Sequence, residues 1–347
     1  MSTSTSSPEQ ETTPAGIDRP ASPKPQSPNS SRLLDLGERF GLIALLVAIV
    51  IGFSLAQPET FATAANWRTI ISSQSVIIVL ALALMVPLLS GNFDLSVGSV
   101  AGLASMVAAG LMARDGVPLA VACAFVFGLG IVIGLANGLL VTKFGLNGLI
   151  ATLGSATIID GLVSWYSDNT SISSGISRGL VRFGTGTVLG VPSLAVVAAL
   201  IAVVVGYVVT QTPFGRRLVS IGSSGPAAEL VGIRVDRMVV TSYVVSGGMS
   251  GLAGVLLLAQ QGSASPGSNG IAILLPALAA VYLGASTWTP GQFNVVGTVL
   301  GLVLVAVTVS GLTLTGAASW VNSVCYGCAL ILAVGASAWF RKKRSGA

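Results

Sequence analysis

Residues 238–340 do not include a single charged side chain, and shorter stretches of the same kind cover 42–56 and 70–93. A run of about 20 apolar residues, rising 1.5 Å each, spans the roughly 30 Å hydrocarbon core of a bilayer. A soluble domain carries about 25% charged residues, whereas this chain carries 8% against 52% hydrophobic. That is too little polar surface to coat a body in water. Strands crossing a membrane alternate apolar and polar residues over about 10 positions, and these runs do not alternate. The sequence therefore predicts an all-α polytopic membrane protein.

Ten candidate spans follow: 40–56, 69–89, 94–112, 118–142, 147–166, 193–211, 239–261, 271–288, 294–315 and 318–340. Those beginning at 94 and 271 are short or rich in Gly and Ser, and are expected to be broken or re-entrant. With ten spans and a cytoplasmic N-terminus, 13 of the 17 Lys and Arg residues face the cytoplasm, including the Arg341–Arg344 cluster. This is the bias of the positive-inside rule, and an odd number of spans would reverse that cluster. Both termini are expected to be cytoplasmic. Residues 1–31 are Ser, Thr, Pro and Gln with scattered charges. They lack the apolar surface needed to offset ordering entropy, so 1–34 reads as a disordered cytoplasmic tail.

Several function classes are disfavoured. Histidine is absent, and the three cysteines, Cys123, Cys325 and Cys328, lie inside apolar stretches. Cys325 and Cys328 have CxxC spacing but lack the further ligands a closed zinc site requires; they read as small buried residues on one helix face. No metal-ligand cluster, histidine base or close pair of carboxylates suggests an intramembrane enzyme. Neither metal nor cofactor is expected. Glycines four apart at Gly98/Gly102, Gly130/Gly134/Gly138, Gly247/Gly251 and Gly297/Gly301 suit close helix crossings in lipid. Asp160 reads as interfacial, Asn137 and Asn147 as turn residues around Lys143. Trp67, Trp165, Tyr166 and Trp339 fall near span ends, where interfacial anchors belong.

The segment Gly91-Asn92-Phe93-Asp94-Leu95-Ser96-Val97-Gly98-Ser99 interrupts an apolar run. Polar groups at that depth need protein, water or a ligand. Asp94 can cap the helix that follows, and a broken helix can also present polar groups to a permeating molecule. This segment resembles the Gly-Gly-Ile-Asp-Leu-Ser-Val-Gly-Ser signature of the ribose/xylose-type permease subunits of bacterial ABC importers. Three further blocks resemble the same family: Ala136–Leu139 leading into Asn147–Gly154, Thr212–Arg217, and Ala227–Ile233. The match runs from about Leu42 to Ala336 and departs from the family at Asn92-Phe93, where Gly-Ile is usual. The resemblance implies a permease domain over 35–344 that imports a monosaccharide such as ribose or xylose across the inner membrane. Its substrate pathway would include Asn92, Phe93, Asp94, Ser96 and Ser99. It further implies three kinds of partner: cytoplasmic ATP-binding subunits, an extracytoplasmic sugar-binding protein and a second permease copy.

The residues agree on one point independently. A phosphate-binding loop needs Gly-Lys followed by Ser or Thr, and none of the four lysines has that setting. Energy from ATP would have to come from another polypeptide. Within the basic loop 212–237, Gly222-Ser223-Ser224-Gly225 reads as flexible, Pro226 suits the first position of a helix, and Gly232 suits its end. Following Pro226, the residues Ala227, Ala228, Glu229, Leu230 and Val231 can form about two turns. A helix that short is unstable alone in water and must dock; the resemblance assigns that docking to the ATPase. Permeases for branched-chain amino acids, nucleosides or polyols, and an ion-coupled secondary transporter, remain open readings. The second of these has only Asp94 and Asp160 as acidic candidates within spans.

Overall fold

The computed structural model describes residues 28–267, 270–287, 291–318 and 320–344. Thirteen helices and one two-residue hairpin follow in order. The first half comprises α1 (Pro28–Ala56), α2 (Ala64–Leu89), α3 (Val97–Ala113), α4 (Leu119–Thr142) and α5 (Gly148–Ser167). An outlying segment holds α6 (Arg178–Thr185) and the hairpin β1 (Thr187–Val188) and β2 (Val191–Pro192). Then come α7 (Ser193–Gln211), α8 (Pro213–Ser223), α9 (Gly225–Leu230), α10 (Val235–Gln261), α11 (Ile271–Gly284), α12 (Val295–Leu314) and α13 (Trp320–Arg344). Among the described residues, α2, α4, α5, α7, α10 and α12 are long and apolar enough to cross a membrane; 41–56, α3, 272–284 and 320–332 are shorter apolar helices. The protein is an all-α, multi-pass membrane protein.

α10 is the axis, with α2, α3 and α4 packed around it. The two short helices occupy matching places. α3 packs on α4, α5 and α10, and α11 packs on α12, α13 and α2, so a long buried helix followed by a short one and two more occurs twice in the chain. Outward faces of α4, α5 and α7 carry Phe125, Val132, Ile150, Ile158, Leu200 and Val203 exposed. In water such surface would drive association; in a bilayer it is the solvated face.

Lipid tails are as apolar as leucine, so helices associate through close backbone approach rather than hydrophobic burial. The expected glycines of α4, α10 and α12 do this. A Cβ on Gly130 would strike the carbonyl of Gly247, one on Gly247 the carbonyl of Gly130, and one on Gly134 the carbonyl of Tyr243. Gly297 and Gly301 in α12 meet Gly284 and Ala280 of α11 in the same way.

The structure corrects several sequence-based expectations. Residues 28–34, assigned to the tail, open α1: Pro28 sits at its first position, where a fixed φ and a missing N–H cost nothing. Residues 1–27 of that tail lie outside the described residues. The stretch between α5 and α7 contains α6, whose eight residues are too few to stand out in a periodicity reading. The loop 212–237 folds into α8 and α9, so Gly222 and Ser223 are helical rather than flexible. Cys328 is exposed and Cys325 half-buried, so the pair does not form a buried face.

Gly134→Leu should separate α4 from α10 and lower the melting temperature of the purified chain, since overpacking costs roughly 1–3 kcal/mol or more. Gly128→Leu, in the same helix with no neighbour within 4 Å, should leave melting nearly unchanged. Equal effects would show that the α4–α10 crossing does not depend on close approach.

Candidate functional site

α2 ends for a local reason. Ser90 Oγ donates to the Pro87 carbonyl at 2.8 Å, the Asn92 N–H returns to the same carbonyl at 3.1 Å, and Gly91 adopts φ +80°. That left-handed conformation suits glycine. Residues 90–96 are non-helical until α3 begins at Val97. The break therefore leaves backbone groups without helical partners in the interior of the bundle, where each must be met by protein.

Side chains of three helices and of the break itself meet them. Tyr243 of α10 donates its hydroxyl to the Phe93 carbonyl at 2.8 Å. The Leu95 N–H donates to Thr152 Oγ1 of α5 at 2.9 Å. Asp94 Oδ1 accepts the Ser96 N–H at 3.1 Å and the Ser96 hydroxyl at 2.6 Å. Asp94 Oδ2 accepts the Ser246 hydroxyl of α10 at 2.7 Å. Behind Ser96, Asn137 of α4 donates to Ser96 Oγ at 2.9 Å and accepts from Ser155 Oγ of α5 at 2.6 Å. Every donor in the chain from Ser155 through Asn137 and Ser96 points toward Asp94. With Asp94 accepting at both of its oxygens, the donors of this chain run in one direction.

Asp94, Ser96, Ser99, Asn137, Thr152 and Ser246 are all nearly inaccessible in this chain. Asn92 and Phe93 are half-buried, with Asn92 Nδ2 held by Ser90 Oγ at 3.1 Å. Of the five expected pathway residues, Asp94 and Ser96 join one hydrogen-bonded cluster. Asn92 closes the end of α2, and Ser99 lies one turn into α3. Asp94 does not cap α3, whose N-cap is Ser96 and carries no side-chain cap bond; it instead accepts the N–H of Ser96 itself, two residues on, ahead of the helix. Asn137 is not a turn residue: it lies inside α4 and belongs to this cluster, whereas Asn147 caps α5 by accepting the Leu149 N–H at 2.9 Å. Sequence reading missed Tyr243, Ser246, Thr152 and Ser155 altogether. Their signal was available as polar side chains within apolar helices, but their convergence on Asp94 was not.

Asp160 is exposed on α5 beside Gly270, where a Cβ would come within 3.1 Å of its Oδ2. Its neighbourhood also includes Ser99 Oγ, 3.5 Å from the same position. Trp165 projects outward at 76% exposure, and Tyr166 carries Arg114 over its ring at 5.1 Å. The side chain of Trp339 lies outside the described residues.

The second expected group lies on α9. Ser224 caps it by accepting the Ala227 N–H at 3.4 Å, Pro226 occupies its first turn, and Gly232 closes it with φ +83°. Ala228 is buried, whereas Pro226, Ala227, Glu229 and Leu230 are exposed, Leu230 at 90%. The two groups are not in contact, but α8 connects them. Gly222 near its end sits so close to α2 that a Cβ would strike the Leu89 carbonyl, and a Cβ on Gly91 would lie 3.9 Å from Gly222 Cα.

Comparison with known proteins places this geometry. The family described as "Branched-chain amino acid transport system / permease component" matches residues 66–334, and the chain belongs to that family. It is 34% identical over 308 residues to the ribose import permease protein of Bacillus subtilis (strain 168), covering 86% of this chain and 91% of that protein. It is 30% identical over 310 residues to the ribose import permease protein of Haemophilus influenzae, covering 88% and 95%. It is also 30% identical over 311 residues to the autoinducer 2 import system permease protein of Photorhabdus laumondii, covering 87% and 92%. No solved structure matches the chain.

Asp94→Ala strands three donors, each costing about 1–3 kcal/mol when buried and unpaired. Ser246→Ala removes one interhelical bond, and such bonds average about 0.6 kcal/mol in a membrane protein. Thermal unfolding of the purified variants should therefore rank Asp94→Ala well below Ser246→Ala, with Asp94→Asn between them. An Asp94→Ala protein as stable as the parent would remove the cluster's structural role.

Proposed function

We propose that the chain is the membrane-spanning permease subunit of an ATP-driven importer that carries a monosaccharide, ribose or a close relative, across the bacterial inner membrane. What supports the cargo is the identity to ribose import permeases over nearly their whole length. The domain runs over 35–344 and crosses the bilayer ten times with both termini cytoplasmic. The four shorter apolar helices beside the six long ones leave room for that number, and the placement of Lys and Arg favours that direction. The ATP-binding subunits are separate polypeptides on the cytoplasmic face. An external sugar-binding protein delivers the cargo, and a second permease copy completes the path.

The observation that carries the coupling role is the state of α9. A six-residue helix cannot hold itself together in water, yet it buries only Ala228 against its own chain and leaves Pro226, Glu229 and Leu230 outward. We assign Pro226, Ala227, Ala228, Glu229, Leu230 and Gly232 to docking on the ATPase. Its movement is carried by α8, whose Gly222 bears on the α2 end at Leu89 and Gly91. The break at 90–96 then responds. In this reading Asn92 and Phe93 line the path, while Asp94, Ser96 and Ser99 hold its wall in place.

Deletion of 226–232, or Glu229→Pro, should abolish uptake of labelled ribose in cells while the protein remains in the membrane. Retained, sugar-stimulated ATP hydrolysis by the reconstituted deletion complex would overturn the coupling role. Uptake that collapses with an uncoupler yet persists without ATP would overturn the importer reading itself. A cysteine at Glu229, in a chain otherwise free of cysteine, should react with impermeant reagent only after the cells are opened.

A further inference from the structure

Two cavities adjoin where α7, α8 and α10 come together. The first is a groove of about 650 Å³ between α4, α7 and α10, walled by Phe127, Val204, Val208, Phe214, Val245 and Gly248. Val204 and Phe127 are exposed along it. The groove follows α7 from Leu200 to Val209, a length of about 13 Å at helical rise. The second is a pocket of about 410 Å³ walled by Arg217, Arg234 and Arg237, together with Val231, Gly232 and Met238. Among the described residues these three guanidinium groups have no hydrogen-bond or ion-pair partner. The nearby carboxylates Glu229 and Asp236 line neither cavity.

The cavities are consecutive along the same helix faces. Phe214 in the groove lies three residues before Arg217 in the pocket, one turn of α8. On α10, Thr241 in the groove donates its hydroxyl to the carbonyl of Arg237, one turn away, at 2.7 Å. An apolar trough at membrane depth thus ends in three unpartnered arginines.

We propose that this composite site binds one anionic phospholipid, with an acyl chain in the groove and the phosphate on Arg217, Arg234 and Arg237. Guanidinium groups present paired N–H donors that match phosphate oxygens, and anionic headgroups concentrate beside basic juxtamembrane residues. Moving an acyl chain from bilayer to groove changes packing but not polarity. Selectivity therefore comes from the headgroup charge, and the groove supplies position. An acidic patch on a soluble partner could meet the arginines but would have no use for the trough that leads into them. Because Val231 and Gly232 wall the pocket, the bound headgroup rests on the end of α9 and steadies it. The leaflet follows from the topology proposed above, whereas the site does not depend on it.

The test uses the full-length chain in a mild detergent, titrated with phosphatidylglycerol or phosphatidylcholine of equal acyl length, with bound lipid counted by native mass spectrometry. The parent should retain phosphatidylglycerol at least fivefold better. Combined Arg217→Gln, Arg234→Gln and Arg237→Gln should reduce it to the phosphatidylcholine level, while Lys at the same three positions should keep at least half of the preference. Val204→Trp, which fills the groove and leaves the arginines intact, should also lower retention several-fold. Equal retention of the two lipids by the parent overturns the proposal, and so does full retention by the Gln variant. If the Gln variant keeps the lipid but no longer associates with the ATP-binding subunit, the pocket is a protein contact. Unchanged retention by Val204→Trp rejects the groove. Melting in the same detergent identifies any variant that fails to fold, in which case the parent's preference, the Lys variant and Val204→Trp decide the outcome.

Discussion

In hydrocarbon no water stands by to satisfy a stray polar group, and a broken helix creates several at once. The break between α2 and α3 releases the Phe93 carbonyl and the N–H groups of Leu95 and Ser96, and it brings a carboxylate with them. Ser246, which holds that carboxylate, lies eleven residues into α10, about 16 Å along its axis. Each of the three backbone groups is met by a different side chain: Tyr243, Thr152 and Asp94. Because Tyr243 and Thr152 come from different helices, the break can exist only when α5 and α10 are already in place. The carboxylate matters most, since an unpaired buried charge costs far more than an unpaired amide.

The cluster in turn depends on glycine. Asn137 and Tyr243 reach their partners because α4 and α10 cross with backbones in contact, at Gly130, Gly134 and Gly247. Gly148, at the start of α5, leaves room for the Tyr243 hydroxyl: a Cβ there would fall within 2.6 Å of it. Larger residues at these positions would move α4 or α5 outward by more than a hydrogen bond can stretch. Packing and polar satisfaction are thus one requirement, and neither can be relaxed separately.

Much of this was legible in the sequence. The membrane class, the long spans and the glycine crossings follow from charge-free runs and spacing, because bilayer thickness and backbone approach are local constraints. The interruption at 91–96 was visible, and so was the short helix around Glu229, because Ser, Pro and Gly act as caps and stops within a few residues of where they stand. Hidden from the sequence were the partners. Ser246 is 152 residues from Asp94, and a lone serine in an apolar helix usually bonds its own backbone, as Ser250 does with the Ser246 carbonyl. Asn137 was misassigned for a similar reason: asparagine near a helix end favours turns, and only the tertiary structure shows it turned inward. The amphipathic α6 and α8 went unseen because eight to eleven residues give few turns in which to recognise a period.

In the coupling role proposed for α9, the contact between Gly222 and the end of α2 is the link to the break. α8 is fixed at both ends: its start packs against the end of α7, where a Cβ on Gly215 would strike the Val209 carbonyl, and its finish packs against Leu89. A displacement of α9 cannot be absorbed within α8 by bending a loop, since Ser224 is the only residue between the two helices. It must appear at Leu89 and Gly91. Gly91 belongs to the seven non-helical residues 90–96, which have no helical hydrogen bonds of their own to resist it, and next to them stands the cluster that clamps the start of α3. Local stability decides where a structure yields. Under the proposed coupling, motion entering at α9 would be expressed at 90–96, between α8 and the cluster around Asp94, which is where Asn92 and Phe93 stand.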